Sequence, residues 1–124
     1  MRYLLSVHEG PQRIYWDTRK NNHTVLEKGM IISNEPGIYI ENEFGIRLEN
    51  LLMVNDYMQS EYGEFLCFDT LTLAPFDLSA IDKSMLNSDE VRWLNTYHKK
   101  VYKEISPYLN NEERKWLKQE TREI

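Results

Sequence analysis

The sequence predicts an α+β fold in which an antiparallel sheet comes first and helices follow. Before about residue 75, short apolar runs alternate with turn-forming residues, which is typical of consecutive strands. After that point the apolar residues take a helical spacing. With 124 residues, the chain is long enough for one domain of this class.

The first half begins with a predicted strand at Tyr3–His8, which ends at a Gly-Pro pair. Met30–Asn34 is rich in β-branched residues and predicts a buried strand, after which Pro36-Gly37 predicts a turn. Four further strands are predicted from apolar or alternating runs: Ile38–Ile40, Ile46–Glu49, Leu51–Val54 and Phe65–Phe68.

Two loops separate these strands. Glu41–Gly45 predicts a hairpin loop in which Gly45 takes a positive φ. Asn55–Gly63 is polar and predicts a second turn.

The second half predicts helices. Apolar residues and one histidine recur at spacings of three and four over Ser88–Ile105, which predicts an amphipathic helix. Asn87 and Glu90 form a predicted capping box at its start, and Pro107 ends it. A short helix over Leu78–Met85 precedes it, and a last short helix follows Asn110-Asn111.

Composition excludes several classes of protein. Fifteen Lys and Arg against 20 Asp and Glu give a net charge of −5, so no basic face for nucleic acid is expected. The apolar runs fall short of the ~20 residues that a membrane helix needs. One cysteine, Cys67, cannot build a disulfide framework. The apolar run at the start of the sequence is too short for a signal peptide. We therefore expect a cytoplasmic protein.

Two glutamates give the strongest chemical signal. Glu35 follows an apolar run, and Glu49 lies 14 residues later at the other end of the predicted hairpin. A hairpin brings such positions together, and two close carboxylates repel each other unless a cation lies between them. The pair therefore indicates a divalent-metal site. The alternative is that both are ordinary solvent-facing strand residues.

His8 is the second candidate. It stands at a predicted strand end before a Gly-Pro turn, where an imidazole can exchange a proton near neutral pH. The alternative is a hydrogen-bonded structural histidine. We interpret His23, in a polar loop, and His98, on the apolar side of a helix, as structural.

Four motifs occur in order: Val7–Pro11, Leu26–Met30, Ser33–Gly37 and Phe44–Asn50. Together they resemble the C-terminal part of the catalytic domain of Xaa-Pro aminopeptidases, members of the pita-bread metallopeptidase superfamily. Phe68–Asp77 and Trp93–His98 resemble the C-terminal segment of the longer enzymes. The resemblance implies that 1–76 is the C-terminal half of a pita-bread domain and that 77–124 is a helical C-terminal segment.

The resemblance also implies a site. The family binds two divalent metals, commonly Mn²⁺, through two aspartates, one histidine and two glutamates, and it releases an N-terminal residue that precedes proline. Glu35 and Glu49 match the two glutamate ligands, and Glu49 matches the one that bridges both metals. His8 matches a histidine that contacts the substrate and assists proton movement. Arg47 is expected beside the metals and the bound substrate.

The family's two aspartates and its histidine ligand lie upstream of the motifs found here. The chain therefore holds two of five expected ligands, and we expect weak or no metal binding and no activity from it alone. Its expected partners are the missing N-terminal half of the enzyme and a peptide with proline in second position. The alternative is a non-catalytic interaction or dimerisation module, or the relic of a split gene. The sequence leaves open whether the chain forms a homodimer.

Overall fold

The computed structural model describes residues 10–14 and 24–124. The chain forms two compact units, of which the first ends at Thr72 and the second spans Leu73–Ile124. The predicted strand Tyr3–His8 lies outside the described residues. Antiparallel strands precede two α-helices, which confirms the predicted α+β fold class.

The described part of the first unit consists of antiparallel strands. They are β1 (Ile31–Asn34), β2 (Gly37–Ile40), β3 (Phe44–Arg47), β4 (Asn50–Ser60) and β5 (Gly63–Thr70). A three-stranded sheet has the order β1-β4-β5, and β2 and β3 form a second, two-stranded sheet. Among the described residues of this unit, Ile32 and Val54 are the buried hydrophobic side chains. The predicted strand at Met30–Asn34 is thus present as β1, although it buries Ile32 and leaves Ile31 exposed.

The two sheets share one continuous pairing register. Asn34 pairs with Asn50 between β1 and β4, and Gly37 pairs with Arg47 between β2 and β3. Two residues on each side separate the ladders, and the Leu48 amide donates a hydrogen bond to the Pro36 carbonyl between them. The register therefore continues across the gap without a bulge.

Because side chains alternate between the faces of a strand and opposed residues share a face, this hairpin has two distinct surfaces. The glutamate face consists of Glu35, Gly37, Tyr39, Gly45, Arg47 and Glu49. The apolar face consists of Pro36, Ile38, Ile40, Phe44, Ile46 and Leu48. All six residues of the apolar face are exposed in this chain.

Two predicted turns differ in the structure. Pro36-Gly37 does not turn the chain: Pro36 interrupts the pairing, since it has no amide hydrogen to donate, and Gly37 begins β2 in the same direction. The hairpin does reverse between β2 and β3, but the positive φ there belongs to Asn42 (60°) and not to Gly45. Asparagine tolerates this left-handed conformation.

The predicted polar turn over Asn55–Gly63 is much shorter in the structure. β4 continues through Ser60, and the chain reverses only at Glu61-Tyr62. A register shift at Asp56/Met58 marks a bulge within the strand. Pairing with β5 keeps this polar segment extended, because strand formation depends more on cross-strand partners than on intrinsic propensity.

The second unit contains the two α-helices, α1 (Ser88–Ile105) and α2 (Asn111–Glu120). α1 begins at the predicted capping box of Asn87 and Glu90, and α2 begins at an equivalent box formed by Asn110 and Glu113. In place of the predicted helix at Leu78–Met85 there are two 3₁₀ turns, Leu78–Ala80 and Lys83–Met85. The side chains of Asp77 and Asp82 cap these turns by accepting hydrogen bonds from the Ser79 and Ser84 amides. The backbone returns to an extended conformation directly after each turn, so no longer helix forms.

The core of the second unit forms where α1 and α2 pack together. Tyr97, Val101 and Leu117 are its buried centre, and partly buried side chains surround them: Leu73, Phe76, Tyr102, Ile105 and Leu109. His98 is fully buried beside this core, and its Nε2 accepts a hydrogen bond from the Phe76 amide at 3.0 Å. This confirms the structural interpretation of His98. Within the described part of the chain, neither helix has the length and apolarity needed to cross a membrane.

Candidate metal centre

Glu35 lies in the gap between β1 and β2, where Pro36 interrupts the ladder. Its side chain is 27% exposed, and both carboxylate oxygens have a partner. Oε1 accepts a hydrogen bond from the Ser33 hydroxyl at 2.9 Å, and Oε2 lies 3.2 Å from Nη1 of Arg47. The two contacts fix the orientation of this carboxylate on the glutamate face.

Glu49 lies in the matching gap between β3 and β4 and is exposed. The continuous register from Asn34↔Asn50 to Gly37↔Arg47 places it directly opposite Glu35. Directly opposed residues of antiparallel strands have Cβ atoms about 4.5–5.5 Å apart on one face. The hairpin thus brings together the two carboxylates that the sequence singled out.

Arg47 links the two glutamates electrostatically. Its Nε donates a hydrogen bond of 2.7 Å to the Tyr39 hydroxyl oxygen. This bond is the largest of the effects that raise the pKa of the Arg47 guanidinium. The charges of Glu35 and Glu49 raise this pKa further. A permanently charged guanidinium beside two opposed carboxylates offsets their mutual repulsion.

Tyr39 is the residue of this site that the sequence reasoning did not identify. It belongs to the glutamate face and bonds Arg47 directly. The sequence signal was present in the pattern Gly37-Ile38-Tyr39, with Gly45 opposite Tyr39. Glycines that flank a strand tyrosine on one face leave room for its ring against the backbone.

The donors present fit part of a divalent-metal site. Glu35 and Glu49 supply hard carboxylate oxygens, which suit Mn²⁺ better than a soft metal. Across residues 10–14 and 24–124, the structure contains no group of three or more His, Cys, Asp or Glu side chains that could hold a metal ion. Glu35 and Glu49 could therefore supply two ligands of a metal site, but not a complete site. His8, the remaining predicted site residue, lies outside the described residues.

Two family models match the chain. The model of metallopeptidase family M24 matches residues 3–56, and that of the C-terminal region of peptidase M24 matches residues 64–124.

Several relatives share these regions. The chain is 41% identical over 127 residues to a probable Xaa-Pro aminopeptidase P of Coprinopsis cinerea, an alignment that covers 98% of the chain and 20% of the relative. It is 44% identical over 124 residues to aminopeptidase P2 of Arabidopsis thaliana, covering 97% of the chain and 17% of the relative. The chain thus spans about a fifth of the length of these relatives.

A solved structure is similar as well. The crystal structure of an X-prolyl aminopeptidase from Caenorhabditis elegans, described as a cytosolic enzyme with a dinuclear active site, matches with a TM-score of 0.72 and 35% identity. The match covers 80% of this chain and 17% of the C. elegans chain. The predicted pita-bread architecture, of which this chain is a partial region, is confirmed by this likeness.

Proposed function

Because the chain belongs to the M24 metallopeptidase family and matches the C-terminal portion of Xaa-Pro aminopeptidases, we propose that it supplies part of a dinuclear-metal aminopeptidase that hydrolyses the N-terminal Xaa-Pro bond. Residues 1–76 would belong to the catalytic domain, and 77–124 to the helical segment that follows it. The observation that carries this proposal is the opposed pair Glu35 and Glu49, with Arg47 beside both.

In this proposal Glu35 and Glu49 hold two divalent metals, of which Mn²⁺ is the expected one. When bound, two divalent cations activate water for attack on the scissile carbonyl and polarise that carbonyl. Glu35 is oriented for this role by Ser33 and Arg47. Glu49 lies opposite it with an exposed carboxylate and would be the second glutamate ligand. His8 is proposed to contact the substrate and to move a proton near the scissile bond.

Three further ligands complete the set in the family, two aspartates and one histidine, and we propose that they come from an upstream portion of the enzyme. The relatives are about five times as long as the aligned region, so they have residues beyond it that could carry these ligands. The isolated chain is then expected to bind metal weakly and to be inactive. A cytoplasmic location, like that of the cytosolic C. elegans enzyme, is part of the same proposal.

The apolar face supports association with this upstream portion. Ile38 is 67% exposed and Ile46 is 57% exposed on strands whose other face carries the glutamates. A contiguous exposed apolar patch on a soluble domain marks an interaction surface. Packing another layer against this surface would leave the glutamate face open to metal and substrate.

The same apolar face favours one alternative, a non-catalytic interaction or dimerisation module. A single experiment separates the two. The chain is mixed with the upstream portion of a relative that carries the two aspartates and the histidine, and release of the first residue from an Xaa-Pro peptide is measured with and without Mn²⁺. Mn²⁺-dependent turnover in the mixture, and none from either part alone, supports the peptidase. Stable association without turnover supports the interaction module.

A further inference from the structure

Residues 74–76 lie outside the helices and strands and are bound to α1 by two of its consecutive residues. The Tyr97 hydroxyl donates a hydrogen bond to the Ala74 carbonyl at 2.7 Å, and the Phe76 amide donates one to Nε2 of His98 at 3.0 Å. The centre of the Phe76 ring lies 5.2 Å from that of Tyr97 and 6.3 Å from that of His98. We call residues 74–76 the strap.

The surroundings of His98 suit a neutral imidazole. The side chain is fully buried, and Nε2 must be unprotonated to accept from an amide. The ring hydrogen is therefore on Nδ1, which is buried and has no hydrogen-bond partner among the described residues. A second proton would turn Nε2 into a donor that faces the Phe76 amide, itself a donor. The charged ring would then have no acceptor at either nitrogen.

The charged group that acts on His98 does not remove this conflict. Glu120 of α2 favours the charged ring, but burial has the larger effect and lowers the pKa of the imidazole. Because Nδ1 has no partner in the described part of the chain, Glu120 does not accept its hydrogen. The strap contributes no ionisable side chain. The α1 residues one helical turn from His98 carry no charge at neutral pH: Leu94, Asn95, Val101 and Tyr102.

The strap is the part of this arrangement that opens most easily. α1 begins at a capping box and buries four side chains: Leu94, Tyr97, His98 and Val101. Phe76 is only partly buried, and the described hydrogen bonds between the strap and α1 are the two at Tyr97 and His98. Segments with few buried contacts open before the core does. A proton on His98 removes one of the two bonds, so opening of the strap disturbs less structure than unfolding of the helix.

We propose that His98 and the strap form a pH-sensitive latch, in which protonation of Nε2 releases the strap from α1 while the helices stay folded. The proton comes from solvent. Because Nε2 is buried, the proton enters during a transient opening of the strap and then keeps the strap open. Release would expose the Phe76 ring and the side of Trp93 that packs 6.1 Å from it. The latch does not depend on the proposed peptidase function, since it involves neither glutamate of the candidate metal centre.

Hydrogen exchange of the Phe76 amide tests the latch directly. Exchange is followed by NMR on the 124-residue chain between pH 8 and pH 5, and each rate is divided into the rate of an unstructured amide at the same pH. We expect this protection to fall below pH 6.5, by up to about tenfold per pH unit. The Val101 amide in α1 is the internal control and should stay protected. Constant protection of Phe76, or parallel loss at Phe76 and Val101, would overturn the proposal.

Two variants test whether His98 is the group that titrates. The amide oxygen of His98→Gln can accept from Phe76 but does not titrate between pH 5 and pH 8, so protection of Phe76 should no longer depend on pH. A pH dependence that persists in His98→Gln would assign the effect to another group and overturn the latch.

Tyr97→Phe decides the question if His98→Gln fails to fold. It removes the other hydrogen bond of the strap and keeps the imidazole. Protection of Phe76 should therefore be lower at every pH, with the same dependence on pH as in the wild-type chain. Lower protection that does not change with pH would mean that His98 does not control the strap.

Discussion

Glu35 and Glu49 lie directly opposite each other in a hairpin, in the two gaps where its hydrogen-bond ladder is interrupted. Pro36 causes one of these gaps, since proline cannot donate to the ladder. Like charges in this arrangement are destabilising by themselves. Arg47 offsets that repulsion in this chain, and the proposed metals would do so in the complete enzyme.

Replacement of Glu49 by glutamine should abolish activity in the reconstituted mixture. An amide has one neutral oxygen acceptor and cannot bridge two cations as a carboxylate does. The matched control is Glu43→Gln, in the exposed turn of the same hairpin, which should retain turnover. The measurement is the initial rate of Xaa-Pro cleavage against Mn²⁺ concentration. Normal turnover of Glu49→Gln would remove this residue from the metal site.

Arg47→Met should lower the thermal stability of the isolated chain, most strongly at low salt. The substitution leaves two opposed carboxylates without their counter-charge, and salt screens the repulsion that results. The loss should be smaller in 1 M salt, where the Debye length is about 3 Å. Thermal unfolding at both salt concentrations measures this difference. The control is Arg92→Met, which removes an exposed i,i+3 pair with Asp89 on α1.

A second substitution checks the cause of that loss. Glu49→Gln removes one of the two charges, so it should restore stability to Arg47→Met. A loss that neither salt nor Glu49→Gln changes would mean that Arg47 does not act through the repulsion of the two carboxylates.

Stability should fall as the pH drops below about 6.5, because of His98. Burial lowers the pKa of this imidazole below its ordinary value of 6.5, an effect that the charge of Glu120 partly opposes. The unfolded chain therefore binds the proton first. The stabilising contribution is complete above pH 6.5 and is lost as the pH falls toward the lower pKa of the folded state, with a slope of up to about 1.4 kcal/mol per pH unit.

The geometry gives the same direction. His98 Nε2 accepts from the Phe76 amide, so a proton on Nε2 would break that bond. Urea unfolding between pH 5 and 8 measures the effect, and His98→Gln, which cannot titrate, should show a flatter pH dependence. His8 and His23 are present in both chains and cancel in the comparison. Equal slopes in the two chains would contradict the prediction.

The sequence was sufficient to predict the structure where the local sequence signals agree with the final packing. The capping box at Asn87 and Glu90, with apolar residues at helical spacing, places α1 correctly. The two glutamates were paired correctly because their spacing spans one hairpin, whose reversal depends on few residues. The structure at a helix start or in a tight hairpin depends on a few neighbouring residues, so it can be predicted from the sequence.

The errors arise where distant partners decide the structure. The polar segment Asn55–Ser60 stays in β4 because β5 pairs with it, which no local pattern indicates. Gly45 leaves room for the Tyr39 ring in its observed position, and the left-handed conformation of the turn belongs to Asn42 instead. The contact between Tyr39 and Arg47 depends on the register of the hairpin. This register pairs Tyr39 with Gly45, and Arg47 lies two residues further along β3.

Ile38→Lys should weaken association with the upstream portion without disturbing the glutamate face. Ile38 is at the centre of the apolar face, paired with Ile46, and a buried lysine charge in an interface is costly without a partner. Val25→Lys is the matched control, because Val25 is 77% exposed and lies outside this face. Binding of the labelled upstream portion is measured by titration. Because Ile38 points away from Glu35 and Arg47, the NMR resonance of Arg47 Nε–Hε should stay in place while the affinity for the upstream portion falls. Equal affinity of the Ile38→Lys and Val25→Lys variants would mean that another surface of the chain makes the contact.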